Sequence, residues 1–219
     1  MDVFDIIGPV MVGPSSSHTA GACKIGNIAA LILGETPKKA DITLYGSFAK
    51  TGAGHGTDKA LVAGIMGYRS DDVRIRDAFS YAEREGLEVG FECKDKIGIH
   101  PNTAKVVLTG ESGKKVSVTG SSVGGGRVVI REVNDFDTSF SGENHTTIVV
   151  HTDKPGVIAF VSKILADEDV NIAKMSTQRS RRGGTAALII EADQAPSADS
   201  IDKMTQHSMV HEIFVVPKV

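Results

Sequence analysis

Apolar residues change their spacing along this chain, and each change predicts an element. From Thr19, Ile25, Ile28, Ala29, Ile32 and Leu33 recur three and four residues apart. That spacing predicts a helix with one buried face, and Gly34 is placed to end it. Ala40–Ser47 alternates, with Ile42 and Leu44 on one side, and reads as a strand. "TGAGHGTDKALVAGIMG" reads as a glycine-rich loop, then a helix from Thr57 that stops at Gly67. Arg76–Gly86 has the pattern of a charged amphipathic helix. Glu88–Cys93, Thr103–Thr109 and Lys115–Thr119 read as strands, the last two joined by a Gly-Glu-Ser-Gly turn. "SSVGGG" (Ser121–Gly126) is expected to interrupt them before "RVVIREV" resumes as a strand. Asp135–Glu143 is polar and without periodicity, and a domain boundary is expected there.

The remaining residues have their own rhythm. Thr146–His151 reads as a strand and Pro155–Glu168 as a helix with Val157, Ile158, Val161, Ile164 and Leu165 inward. Val170–Gln178 and Thr185–Glu191 read as strands joined by the hairpin turn "RSRRGG". Ser197–His207 reads as a helix and Val210–Val216 as a closing strand. The order βαββαβ is the ferredoxin-like plan. Helices on one side of such a sheet are expected to leave its other face and edges free, so self-association is expected here. The chain is thus read as α+β, with a mixed α/β domain over 1–143 and a ferredoxin-like domain over 145–219.

Composition narrows the partners. A formal net charge of −3 with both signs mixed argues against a polyanionic partner, and 5% aromatics with no tryptophan argues against base stacking, so no nucleic acid is expected. The longest apolar run, Ile28–Leu33, is far too short for a membrane span. Met1–Asp5 lacks the basic start and apolar core of a signal peptide. The two cysteines, Cys23 and Cys93, fit a reducing cytoplasm. They cannot alone supply a four-cysteine metal site or an iron–sulfur cluster, so no metal ligands are assigned.

Two stretches carry candidate chemistry. In "GPSSSHTAG", Pro14, three serines, His18 and Thr19 crowd a helix start where one cap suffices. The free N–H groups and positive dipole of such a start favour a phosphate or carboxylate, and His18 adds a proton donor or acceptor near neutral pH. In "GAGHGTD", glycines are followed by His55, Gly56, Thr57 and Asp58 at the entrance of the next helix. Two such mouths can converge on one small anion; the alternative is two loops satisfied locally. A Ser17–His18 nucleophile pair is disfavoured, because helix neighbours point about 100° apart. "SSVGGG" can form a nest or a bulge, and His100-Pro101-Asn102 reads as a turn. In the second domain, "HTDKPGV" and "VNI" bring His151, Asp153 and Asn171 to the ends of one helix. They suit an amino acid's charged groups; the alternative is that Asp153 serves only as a helix cap.

"TTIVVHTDKPGVIAFVSKILADEDVNIAKM" resembles the first half of an ACT domain, a module that senses amino acids. "GPSSSHTAG" with "GSFAKTGAGHGTDKALVAGIMG" resembles the beta subunits of bacterial iron–sulfur L-serine dehydratases. Their N-terminal domain is similar to the allosteric substrate-binding domain of some 3-phosphoglycerate dehydrogenases. The resemblance implies conversion of L-serine to pyruvate and ammonia in amino-acid catabolism. It implies a four-iron four-sulfur cluster carried by a cysteine-bearing alpha subunit, and a cytoplasmic assembly of both chains. Carried onto this sequence, His18 and His55 are the catalytic candidates. Ser16, Ser17, Thr19, Gly56, Thr57 and Asp58 are the substrate-binding ones, and His151, Asp153 and Asn171 would hold an effector. The competing expectation is a purely regulatory subunit that senses amino acids and takes no part in chemistry.

Overall fold

The computed structural model describes residues 9–219, so Met1–Asp5 lies outside the described residues. The chain divides into two compact units, Met1–Asn134 and Asp135–Val219.

In the first unit, α1 (Ala22–Leu33) buries Ile25, Ile28, Ala29, Ile32 and Leu33, the face its periodicity predicts. Gly34 closes it at φ 73°, donating its N–H to Ala30 O. Ahead of α1, Ser17–Gly21 forms a π-helical turn, in which Gly21 N–H reaches back five residues to Ser16 O at 2.9 Å. A Cβ at Gly21 would lie 2.1 Å from Ser122 Oγ, so glycine lets this turn press against a strand.

That strand belongs to a sheet of β1 (Pro37–Tyr45), β2 (Glu88–Lys94), β3 (Asn102–Gly110), β4 (Lys115–Gly124) and β5 (Arg127–Val133). Within the unit the order is β2-β1-β3-β4-β5. β1 and β2 are parallel and the other neighbours antiparallel. The register sets Ile42 opposite Val106 and Val106 opposite Val118, all buried. Each such side chain contributes about 1.5–3 kcal/mol on leaving water.

α1 packs on β3 and β4, and α3 (Thr57–Ile65) lies along α1. Two glycines permit that helix pair. A Cβ on Gly26 would sit 2.3 Å from Leu61 O, and one on Gly64 would sit 1.9 Å from Cys23 O. The short helix α4 (Ala78–Arg84) completes the layer.

Three readings of this region are corrected. The glycine-rich stretch is not a loop: Gly46–His55 is a helix, α2, broken from α3 only at Gly56, φ 71°. Tertiary packing overrides the low helix propensity of Gly52 and Gly54; Phe48 in this helix is wholly buried. "SSVGGG" does not interrupt a strand either. β4 runs through Gly124, and the turn to β5 falls on Gly125 and Gly126, both at positive φ. The aperiodic stretch after Asn134 contains a strand, β6 (Phe136–Phe140), whose Phe140 is buried.

The second unit continues with β7 (His145–Thr152), α5 (Val157–Asp167), β8 (Ile172–Arg179), β9 (Thr185–Ala192), α6 (Ala198–Thr205) and β10 (Val210–Val216). Its sheet order is β10-β7-β9-β8 with antiparallel neighbours, the ferredoxin-like arrangement. Val157, Val161 and Leu165 of α5 and Met204 of α6 pack with Val149, Leu188 and Ile190. Ile158 was expected inward, but in the first turn of α5 it is 40% exposed. The opposite sheet face is not free as expected: Ile148, Ile189, Phe214 and Val216 there are buried, and β6 packs on β8 and β9. Of the expected surfaces, the outer strand β8 stays largely exposed.

Candidate functional site

The first motif enters the π-helical turn through Ser15. Its Oγ accepts the His18 N–H at 3.4 Å, and its carbonyl accepts the Thr19 N–H at 2.8 Å, the first bond of the turn. Ser15 is therefore the serine that caps, as its hydroxyl meets an N–H that the helix start leaves open. The N–H groups of Ser16 and Ser17 precede that first bond, at the positive end of the dipole.

The second motif meets the first through α2. Ser47, Thr51 and His55 are spaced by four and so share one helix face. His18 Nε2 lies 3.3 Å from Ser47 Oγ and 3.2 Å from Thr51 Oγ1, and its Nδ1 lies 3.3 Å from Ser15 Oγ. His55 Nδ1 lies 3.0 Å from Thr51 O. The two imidazoles stand 4.8 Å apart between centroids, tilted by 40°. Phe48 backs the His18 ring edge-on at 5.2 Å. The two histidines singled out by the sequence thus form one site.

Electrostatics separates the pair. Burial, and then the neighbouring His55, hold the His18 pKa below the ordinary histidine value, against a smaller raising effect of a hydrogen bond at Ser47. His55 is half-buried and ends α2. This alters the expected geometry of two positive helix mouths. One histidine belongs to a helix start, the other to the end of α2, where the dipole is negative.

The other candidates take varied places. Ser16 and Ser17 are half-buried at the start of the π-helical turn. Thr19 and Thr57 are buried, and neither hydroxyl has a hydrogen-bond partner among the described residues. Thr57 packs beneath Gly52, where a Cβ would meet it at 3.3 Å. Gly56 supplies the left-handed joint, and the Asp58 carboxylate accepts the Lys59 N–H at 2.8 Å. His100 forms the turn read from its sequence, with its Nδ1 accepting the Asn102 N–H. The glycine at the entrance of α2 lies against that turn: Gly46, φ 55°, would place a Cβ 2.6 Å from Pro101 O. Ser47 and Thr51 went unnoticed in the sequence. Their spacing to His55 was the available signal, and the loop reading hid it.

In the second unit the three candidates are held separately. Asp153 accepts the Gly183 N–H at 3.0 Å and faces Arg179 at 3.5 Å, so it ties down the β8–β9 hairpin. It does not cap α5, whose N-cap is Gly156 without a side-chain bond. Asn171 donates to Asp193 at 2.7 Å. His151 is buried, with Nδ1 2.8 Å from Thr152 O and Nε2 without a partner among the described residues.

The cysteines do not fit a cluster. Cys23 is buried, donates to Tyr68 O, and its thiol is pushed up to about 12, mainly by burial. Among the described residues no three His, Cys, Asp or Glu side chains gather as metal ligands would. No helix there is long and apolar enough to cross a membrane.

Comparison with known proteins agrees with both units. Residues 145–206, within the second unit, match the ACT domain family. Residues 2–86 match the serine dehydratase beta chain family. The chain is 43% identical over 204 residues to the probable L-serine dehydratase, beta chain, of Bacillus subtilis, covering 93% of this chain and 92% of that one. It is 40% identical over 200 residues to the L-serine dehydratase, beta chain, of Peptoniphilus asaccharolyticus, covering 90% and 89%. It is also 30% identical over 200 residues to the D-3-phosphoglycerate dehydrogenase of Bacillus subtilis, covering 90% of this chain but 36% of that protein. The chain belongs to the serine dehydratase beta chain family.

Proposed function

We propose that this chain is the beta subunit of an L-serine dehydratase and supplies one wall of the site that converts L-serine to pyruvate and ammonia. The observation that carries the reading is the 4.8 Å pairing of His18 and His55, one from each motif. Elimination needs a group that removes the Cα proton and an acid that helps the hydroxyl leave. An imidazole pair without a carboxylate bonded to either ring suits the proton step, since a neutral histidine can accept a proton near neutral pH. The substrate carboxylate goes to the N–H groups ahead of the π-helical turn, with Ser16, Ser17 and Thr19 beside it. Gly56, Thr57 and Asp58 shape the joint that follows His55.

The Lewis acid is assigned to a partner. The resemblance implies an iron–sulfur cluster, and since the residues here do not fit one, the cluster belongs to an alpha subunit that closes the site. The two free cysteines suit a reducing compartment, and the assembly is assigned to the cytoplasm. The ACT domain serves self-association and regulation, with His151, Asp153 and Asn171 as effector contacts once a ligand takes the place of the bonds they make within the fold. The exposed edge of β8 supports association of two copies.

The test is reconstitution. Purified chain is mixed with a cluster-bearing alpha subunit, and pyruvate is measured at saturating serine for the wild type, His18→Ala and His55→Ala. Loss of turnover supports the reading. Unchanged turnover with an altered serine dependence assigns the chain a purely regulatory role.

A further inference from the structure

We infer that Thr51 is a positioning residue that fixes the tautomers of both histidines, so that His55 Nε2 alone carries the free lone pair of the pair. The inference concerns the protonation geometry of this chain; its bearing on turnover rests on the function proposed above.

The Thr51 hydroxyl has one proton, and it is donated to Ser47 O at 3.0 Å, an oxygen that can only accept. With that proton given away, Thr51 Oγ1 meets His18 Nε2 as an acceptor at 3.2 Å, Ser47 Oγ offers a second acceptor oxygen to the same nitrogen at 3.3 Å, and on this reading Nε2 carries the hydrogen. His18 Nδ1 is left with its lone pair, which takes the Ser15 O–H at 3.3 Å. Ser15 can do this while its oxygen also accepts the His18 backbone N–H. Both ring nitrogens of His18 are thus engaged.

The same residue settles the other ring through its main chain. Thr51 O lies 3.0 Å from His55 Nδ1, and a carbonyl again only accepts, so Nδ1 carries the hydrogen in the neutral ring. His55 Nε2 is bare, and it has no hydrogen-bond partner among the described residues. The asymmetry is built by position. Ser47, Thr51 and His55 occupy successive turns of one face of α2, so the middle residue presents its hydroxyl to one ring and its carbonyl to the other. His18 is buried and His55 half-exposed, which leaves the bare nitrogen on the accessible ring.

Histidine ¹⁵N-edited NMR on the full-length chain tests this directly. In the wild type, His18 is expected as the Nε2–H form and His55 as the Nδ1–H form. Thr51→Val should shift His18 towards a tautomer mixture and leave His55 unchanged, because its partner is main chain. Thr51→Ser should restore the wild-type pattern. A His18 signal of the Nδ1–H form in the wild type, or one unmoved by Thr51→Val, overturns the inference. In the reconstituted complex Thr51→Val should lower kcat by roughly 10- to 100-fold with KM little changed, and Thr51→Ser should recover it. If the tautomers shift as expected while kcat stays constant, the positioning role stands and the catalytic reading of the pair falls.

Discussion

Each unit brings a histidine, hydroxyls and a turn glycine to the neighbourhood of a helix start, yet only the first gathers them. There, Ser15 and His18 of the π-helical turn interlock with Ser47, Thr51 and His55 along α2, and one hydrogen-bonded group results. In the second unit each candidate is held elsewhere. Asp153 serves the β8–β9 hairpin, Asn171 binds Asp193, and His151 turns its Nδ1 to the adjacent carbonyl. A polar group already bonded within the fold must give up that bond to take a ligand. The first unit therefore presents a site with one unused nitrogen on an accessible ring. The second presents separate contacts, and the buried His151 Nε2 has no hydrogen-bond partner among the described residues.

The sharpest way to break this contrast is to remove a histidine from each unit. His55→Ala should lower turnover of the reconstituted enzyme by about 10²- to 10⁴-fold, the range of a lost general acid or base. His151→Ala should leave kcat near wild type. Equal losses from both would end the distinction.

A second test strikes the scaffold that carries the first site. Gly64→Ala should cost about 3 kcal/mol or more in urea unfolding, because its Cβ would fall 1.9 Å from Cys23 O, a backbone atom that cannot swing away. Gly54→Ala is the control. Nothing lies within 4 Å of its Cβ and its φ is not positive, so it should be neutral or stabilise by about 0.5–1 kcal/mol.

A third test uses pH. Because the folded pKa of His18 is lowered, the unfolded chain takes up that proton first as pH falls. The stability involved is fully present above the ordinary histidine value, near 6.5, and is lost as pH falls through it towards the lowered one. His18→Gln should reduce the fall in Tm between pH 7.5 and 5.5 relative to wild type; an identical pH slope would contradict the burial argument.

The smallest effect is expected at the second unit's hairpin. Asp153→Asn should cost about 0.5–1.5 kcal/mol through the weakened bond to Gly183 and the exposed pairing with Arg179. Thermal unfolding of the full chain measures it.

Much of the fold was legible because buried periodicity is a local signal. The apolar face of α1, the alternation in β1 and the βαββαβ order of the second unit follow from spacing alone. The misreadings share a cause. The glycines of "TGAGH" read as a loop because glycine costs helix stability locally; Phe48 buried beneath α2 and the fit of Gly46 against Pro101 offset that cost, and neither contact is local. β6 alternates Phe136, Thr138 and Phe140 with the exposed Asp137 and Ser139, but five residues with a hydroxyl at the centre are too few for that pattern to stand out. Ile158 was placed inward because two apolar neighbours in sequence cannot tell which of them meets the core.

The sequence by itself determined where helices and strands begin, which faces are apolar, and that His18 and His55 each sit among small and hydroxylic residues. Propensity and periodicity act between near neighbours, so they can be read along a line. Tertiary structure decided that the two histidines meet, that Thr51 stands between them, and that Asp153 and Asn171 are engaged elsewhere. Those outcomes depend on which distant surfaces press together: Gly21 against Ser122, Gly64 against Cys23. Distances across such contacts are set by packing, which no local pattern encodes.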